Sequence, residues 1–283
     1  MNLVHSPWFV QLQANVNQPP LSPRATLYCD AHAIGSVEPA AFAALLAQTQ
    51  MAGIVQTQAA GSDEMPGWTI TSQPNAVLAE LAQAMRTQDY AQVARLWRDE
   101  LLAVRNASGQ QLATVERGAV RALGIATHGV HLNGTSAHQQ VWIQQRALAK
   151  KTDAGRWDTL MGGMVSAADT LASALQRETL EEAGLEPPQL HDLRWVGQFT
   201  MRCPNAPDNA LEYVVERIDW FTAQLPAGVV PVNQDGEVQQ FRRVALAELQ
   251  TMLLQHAFTT EASLILAHHC AEMNEKSPSS PYS

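Results

Sequence analysis

The chain has 283 residues, 46% of them hydrophobic, and a formal net charge of −9, enough for two modest domains or one large one. With no basic run, nucleic acid is not an expected partner, and bare anionic substrates are disfavoured unless metal ions bridge them to the protein. Cys29, Cys203 and Cys270 lie far apart without CxxC spacing, no apolar stretch nears the roughly 18 residues of a membrane span, and the first residues lack a signal-peptide pattern, so the expectation is a cytoplasmic protein without disulfides, zinc or membrane.

Residues 1–23 are mixed and marked by prolines, which predicts an irregular arm. Residues 25–34 predict a strand, and Pro39 opens a helix to about residue 50 with Phe42, Leu45 and Leu46 inward. Residues 60–75 predict a loop around a short strand at 68–71. Asn75 is the expected cap of a helix over 76–85, and another helix follows over 90–97. Residues 101–105 and 110–115 predict a hairpin closed by Asn106-Ala107-Ser108-Gly109. A short helix over 116–123 leads to Gly124.

Beyond Gly124 the pattern changes. Strands are expected at 125–132 and 140–145, joined by the polar turn Asn133-Gly134-Thr135-Ser136, and at 157–160. A helix over 168–183 has no Gly or Pro and ends at Gly184. Strands follow at 193–201, 211–223 and 238–244, then helices at 246–255 and 261–273. The Ser/Pro-rich residues 276–283 predict a disordered tail. The boundary between the two halves falls near residue 122. The expected organisation is an N-terminal α+β module at 1–122, a second domain at 123–275 and the tail.

The helix over 168–183 carries the densest chemistry. Glu178 and Glu182 are four apart, so both carboxylates project from one face, with Glu181 beside them. Three close like charges repel unless a cation sits among them, and a hard divalent ion such as Mg²⁺ prefers oxygen ligands of this kind. Arg177 can hold one carboxylate through a two-pronged hydrogen bond. The plain alternative is a solvated helix face. Against it stands the glycine pair Gly162-Gly163, fourteen residues before Arg177-Glu178, preceded by a strand-like segment.

The stretch GMVSAADTLASALQRETLEEAGL at 163–185 resembles the Nudix box, G-x5-E-x7-R-E-U-x-E-E-x-G-U. Asp169 stands where the box has Glu, and Thr179 where it has an aliphatic residue. The resemblance implies a Nudix fold: an α+β (α/β/α sandwich) architecture, a mixed sheet between helices. It implies cleavage of a diphosphate linkage with Mg²⁺ (or Mn²⁺), with Glu178, Glu182, Glu181 and the Gly163 carbonyl as metal ligands. Arg177 would orient the glutamates, and Asp169 would pair with Arg177. Three further strings, VERGAVRALGIATHGVHLNG (115–134), WDTLMGGMV (157–165) and NQDGEVQQF (233–241), resemble the Nudix proteins related to the domain fused to thiamine pyrophosphokinase. That branch implies thiamine diphosphate, or its oxidised analogues, as substrate. The alternatives are a pyrophosphatase of nucleoside-diphosphate-linked compounds, or a non-catalytic Nudix-fold binding module. The partner expected is a small-molecule diphosphate, with a homodimer left open.

Outside the box, Glu237 follows the turn Asp235-Gly236 and is a candidate for activating water, a role that Glu181 could also fill. Arg146 and Lys150 follow a strand and could meet substrate phosphate, and Trp157 could stack on a substrate ring. For Lys150 and Lys151 a solvated loop competes, and for Trp157 core packing. His128 and His131, three apart on a strand, face opposite sides and read as structural.

Overall fold

The computed structural model describes residues 2–49, 51, 53–57 and 67–276. Most of the expected tail, and residues 60–66 of the expected loop, lie outside these. Among the described residues no helix is long and apolar enough to cross a membrane.

The expected irregular arm holds a helix, α1 (Pro7–Asn15). Ser6 caps it by accepting a hydrogen bond from the Phe9 N–H, and Pro7 occupies the first turn, where its missing N–H costs nothing. The expected strand at 25–34 is two antiparallel strands, β1 (Ala25–Cys29) and β2 (His32–Val37), reversed at Asp30. Helix α2 (Pro39–Thr49) buries Phe42 and Leu45. Strands β3 (Ile54–Gln56) and β4 (Trp68–Ile70) complete a four-stranded sheet in the order β2-β1-β4-β3. Helix α3 (Pro74–Thr87) starts after Gln73, not Asn75. Asn75 instead accepts from the Thr114 N–H at 2.8 Å, tying the helix to the hairpin. The expected helix at 90–97 breaks into a 3-10 turn and one helical turn, α4 (Val93–Leu96), because Ala91 and Gln92 take left-handed backbone. The hairpin forms as β5 (Leu101–Arg105) and β6 (Gln111–Glu116).

The second half contains a seven-stranded mixed sheet. Its strands are β7 (Thr127–Thr135), β8 (Val141–Arg146), β9 (Trp157–Asp158), β10 (Met161–Met164), β11 (His191–Pro204), β12 (Tyr213–Gln224) and β13 (Val238–Val244). The order is β11-β12-β7-β8-β13, with β10 paired to β7 and β9 to β8. Strand β7 runs parallel to β12 through Thr135, so Asn133-Gly134-Thr135 is strand rather than the expected turn. β7 meets β8 only at Gly134–Thr135; upstream the two diverge, and β10 fills the space beside β7.

Helices lie on both faces of this sheet. On one, Ala174, Leu175 and Ala183 of α5 (Leu171–Ala183) pack on Val130, Leu132 and Trp142. On the other, α6 (Leu246–Leu254) and α7 (Thr260–Lys276) cover Val141, Ile143, Ile218 and Trp220. This is the expected α/β/α arrangement. Leu3, Phe9 and Val16 belong to this second core, so the first helix sits on the second half. The first core is built from residues 25–125, and Met164 and Leu211 of the second half pack against it.

Candidate active site

A cleft of about 610 Å³ opens where β7 and β8 diverge. The Gly162-Gly163 strand and Glu178 line it from the second half; Arg98, Arg117 and Arg121 line it from the first. Strand alternation sends Thr127 and His131 of β7 into its wall.

Helix α5 is fixed at both ends. Thr170 and Ser173 form a reciprocal capping box, and Gly184 closes the helix with φ of 64°. Thr179 is fully buried, as its inward methyl requires. Arg177 then organises the acids. It donates to Asp169 Oδ2 at 2.8 and 3.2 Å, to Glu178 Oε1 at 2.8 Å, to Glu181 Oε2 at 3.2 Å and to the Met164 carbonyl at 3.0 Å. The Asp169–Arg177 pair expected from the sequence thus forms despite the shorter side chain. Burial pulls against the charge of Arg177, but the bond to Asp169 and the charge of Glu178 outweigh it and raise its pKa. Burial likewise opposes ionisation of Asp169, and the bonds from Arg177, Ser173 and Ser166 reverse this and lower its pKa.

Glu182 is 2% exposed. Its Oε2 accepts from Gln144 Nε2 at 2.8 Å and from the Gly162 N–H at 3.0 Å, while its Oε1 lies 4.0 Å from Lys150 Nζ. Burial pushes its pKa up to about 8, against the pull of Lys150 and these two bonds. Burial also raises Glu178. The Glu178 carboxylate lies directly over Gly163: a Cβ there would sit 2.0 Å from Glu178 Cδ. Two neighbouring carboxylates whose ionisation burial opposes suit a hard divalent cation. Among the described residues no three acidic, His or Cys side chains converge on one point. Arg177 bridges Glu178 and Glu181 instead.

The remaining candidates divide. Glu237 is placed in the cleft lining by the turn before it, whose Asp235 side chain accepts from the Glu237 N–H at 2.8 Å. Lys150 forms an ion pair with Glu237. Burial alone would raise Glu237, and the bond and charge of Lys150 bring its pKa below the usual value. Lys150 is thus held between two carboxylates rather than free in a solvated loop. Arg146 lines the cleft but is bonded to Asp158 at 3.4 Å and to the Thr152 carbonyl at 3.2 Å. Trp157 does not line the cleft. It packs against the second core with Arg242 over its ring at 5.4 Å, because alternation on β9 gives the cleft to Asp158.

His128 and His131 do face opposite sides. His128 Nε2 is 2.8 Å from Asp219, whereas His131 lies in the cleft wall, 3.0 Å from Thr159 Oγ1 and 3.7 Å from Asp158. Burial lowers the pKa of His131. Sequence reasoning missed Asp158, Glu216 and Glu261, all in the cleft lining. Burial raises both glutamates, and the mutual repulsion of the pair takes Glu261 to about 7. Asp158 lies within the string 157–165 without being marked there as a site residue, and no local motif announces the two glutamates; β12 and the start of α7 are brought to the cleft by tertiary pairing.

Residues 126–265 match the family model described as NUDIX domain. The chain is 24% identical over 208 residues to an uncharacterized protein of Saccharomyces cerevisiae, covering 68% of this chain and 60% of that one. It is 29% identical over 150 residues to Nudix hydrolase 20, chloroplastic, of Arabidopsis thaliana, covering 51% and 38%. The chain therefore spans less than two thirds of the length of these relatives. The crystal structure of DR0079 from Deinococcus radiodurans aligns with a TM-score of 0.48 at 18% identity, covering 60% of this chain and 99% of that chain.

Proposed function

With residues 126–265 a NUDIX domain, we propose that the protein hydrolyses a diphosphate linkage in a small molecule, using Mg²⁺ or Mn²⁺. The observation that carries this reading is the pair of Glu178, half-buried in the cleft lining over Gly163, and Glu182, buried and bonded to the Gly162 N–H, both with ionisation opposed by burial. Glu178, Glu182, Glu181 and the Gly163 carbonyl would hold the metal. When bound, such an ion neutralises phosphate oxygens and acidifies water. Arg177 keeps the glutamates aligned from behind, anchored by Asp169 and the Met164 carbonyl. Glu237, kept ionised by Lys150, is the carboxylate we assign to accept a proton from water. Phosphoryl transfer depends on this positioning and charge neutralisation more than on covalent chemistry.

For the substrate we propose thiamine diphosphate or its oxidised analogues, cleaved to the monophosphate and phosphate. The three strings flanking the box support this choice. The competing class is nucleoside-diphosphate-linked compounds such as ADP-ribose. Retention of all three box glutamates speaks against a purely binding role.

The test is product release from a panel of thiamine diphosphate, oxothiamine diphosphate, ADP-ribose, NADH and a nucleoside triphosphate, with Mg²⁺ and with EDTA. Metal-dependent phosphate release, strongest for oxothiamine diphosphate, is expected. Nucleotide products from ADP-ribose or NADH would keep the reaction and discard the thiamine substrate. Turnover undiminished by EDTA, or by Glu178→Gln, would overturn the metal assignment.

A further inference from the structure

The reading above leaves the N-terminal half without a role, yet that half builds part of the cleft. Residues 116–124 form a compact turn whose Ala119, Val120, Ala122 and Leu123 are buried in the first core. Arg117 and Arg121, four residues apart on this helical turn, point the other way and line the cleft. The turn is held firmly. The buried Glu116 carboxylate accepts from the Gly118 N–H at 3.2 Å and from the Arg98 N–H at 2.8 Å. The Arg121 carbonyl accepts from the Tyr213 N–H at 2.9 Å, joining the turn to the second half.

Arg98 and Lys151 of the cleft lining donate to the Trp97 carbonyl at 3.3 Å and the Arg95 carbonyl at 2.6 Å, and three other cations of the site are heavily engaged. Arg177 is saturated by three carboxylates and a carbonyl, Lys150 lies between Glu182 and Glu237, and Arg146 is tied to Asp158 and Thr152. Arg117 and Arg121 differ. Each guanidinium makes one side-chain bond among the described residues, to Glu100 at 2.7 Å and to Asn205 at 2.8 Å respectively. Most of the five N–H donors of each group are left. The charge of Arg117 reaches Glu178, Glu216 and Glu237, and that of Arg121 reaches Glu216, so both act electrostatically on the carboxylates of the site. A diphosphate entering so acidic a cleft needs cations beyond a metal ion, and a planar fork of donors matches phosphate oxygens.

We propose that Arg117 and Arg121 bind phosphate oxygens of the substrate's diphosphate, so that the N-terminal half supplies a substrate-binding wall of the active site. This rests on the diphosphate-hydrolase reading. Two readouts separate the ideas: turnover of the substrate panel, and metal-free calorimetric binding of methylenediphosphonate, which cannot be hydrolysed. In the full chain, Arg117→Ala and Arg121→Ala should each raise KM about tenfold, with a smaller change in kcat, and weaken methylenediphosphonate binding in parallel. Arg117→Lys and Arg121→Lys should restore part of both. If Arg117→Ala fails to fold, Arg121→Ala and the lysine variants carry the comparison. Unchanged KM and unchanged analogue binding in folded variants would overturn the proposal. A wild-type chain that turns over none of the panel, yet binds the analogue in an arginine-dependent way, would overturn the hydrolase reading and uphold the anion site.

Discussion

Gly163 shows how little tolerance the site has. Its missing side chain is the space in which the Glu178 carboxylate lies. Gly163→Ala should lower kcat by roughly a hundredfold through displacement of that carboxylate, measured as phosphate release, while the melting temperature moves little. Asp169 acts one step further back. It touches Arg177 rather than the reacting groups, so Asp169→Ala should cost about tenfold in kcat, and Asp169→Glu should recover most of it. Glu261 makes a pH prediction. Burial and the facing acids Glu216, Asp158 and Asp153 hold it at about 7 when folded, against roughly 4.3 when unfolded. Its contribution to stability is complete below the unfolded value and is lost as pH rises through about 7. The advantage of Glu261→Gln over the parent in melting temperature should therefore grow between pH 5 and pH 8, by about 2–4 °C for each kcal/mol. An equal advantage at both pH values would remove this account. Glu178, Glu181 and Glu182 were legible in the sequence because helical spacing sets them on one face, whereas Gly163 and the Asp169–Arg177 pair were reached only through the resemblance to the Nudix box. Asp158, Glu216 and Glu261 were not legible, because three separate elements carry them and only the tertiary fold makes them neighbours.

At the scale of elements, α5 is the part that must not slip, since a rotation would move every acid at once. Its end depends on Gly184, left-handed at φ 64°, where a Cβ would stand 2.7 Å from the Val232 carbonyl and from Gln234 Nε2. Gly184→Ala should destabilise the fold by about 1–2 kcal/mol, read from denaturant midpoints. Elements with a strong local period appeared where the sequence put them: β13 spans residues 238–244 and α2 begins at Pro39, as expected. The failures have two causes. Asn133-Gly134-Thr135 has turn composition, yet β12, some ninety residues downstream, pairs with it and extends the strand. The first helix was hidden because its prolines were read as breakers, whereas Pro7 sits where a helix begins.

For the whole molecule, the division near residue 122 describes the chain better than it describes the packing. The core of residues 25–125 is distinct from the two on the faces of the second sheet, but the first helix belongs to one of the latter, and the cleft draws lining from both halves. Phe9 is 2% exposed within its core. Phe9→Ala should cost about 3–5 kcal/mol, visible as a lower melting temperature without an altered KM. Attachment of α1 to α7 also bears on the order of events during synthesis. Residues 25–125 can close their own core while the ribosome is still adding the sheet, but Leu3 and Phe9 pack under α7 and wait for it to emerge. The first apolar helix made is thus among the last to be covered, and a nascent chain stalled before residue 260 would still display it to chaperones.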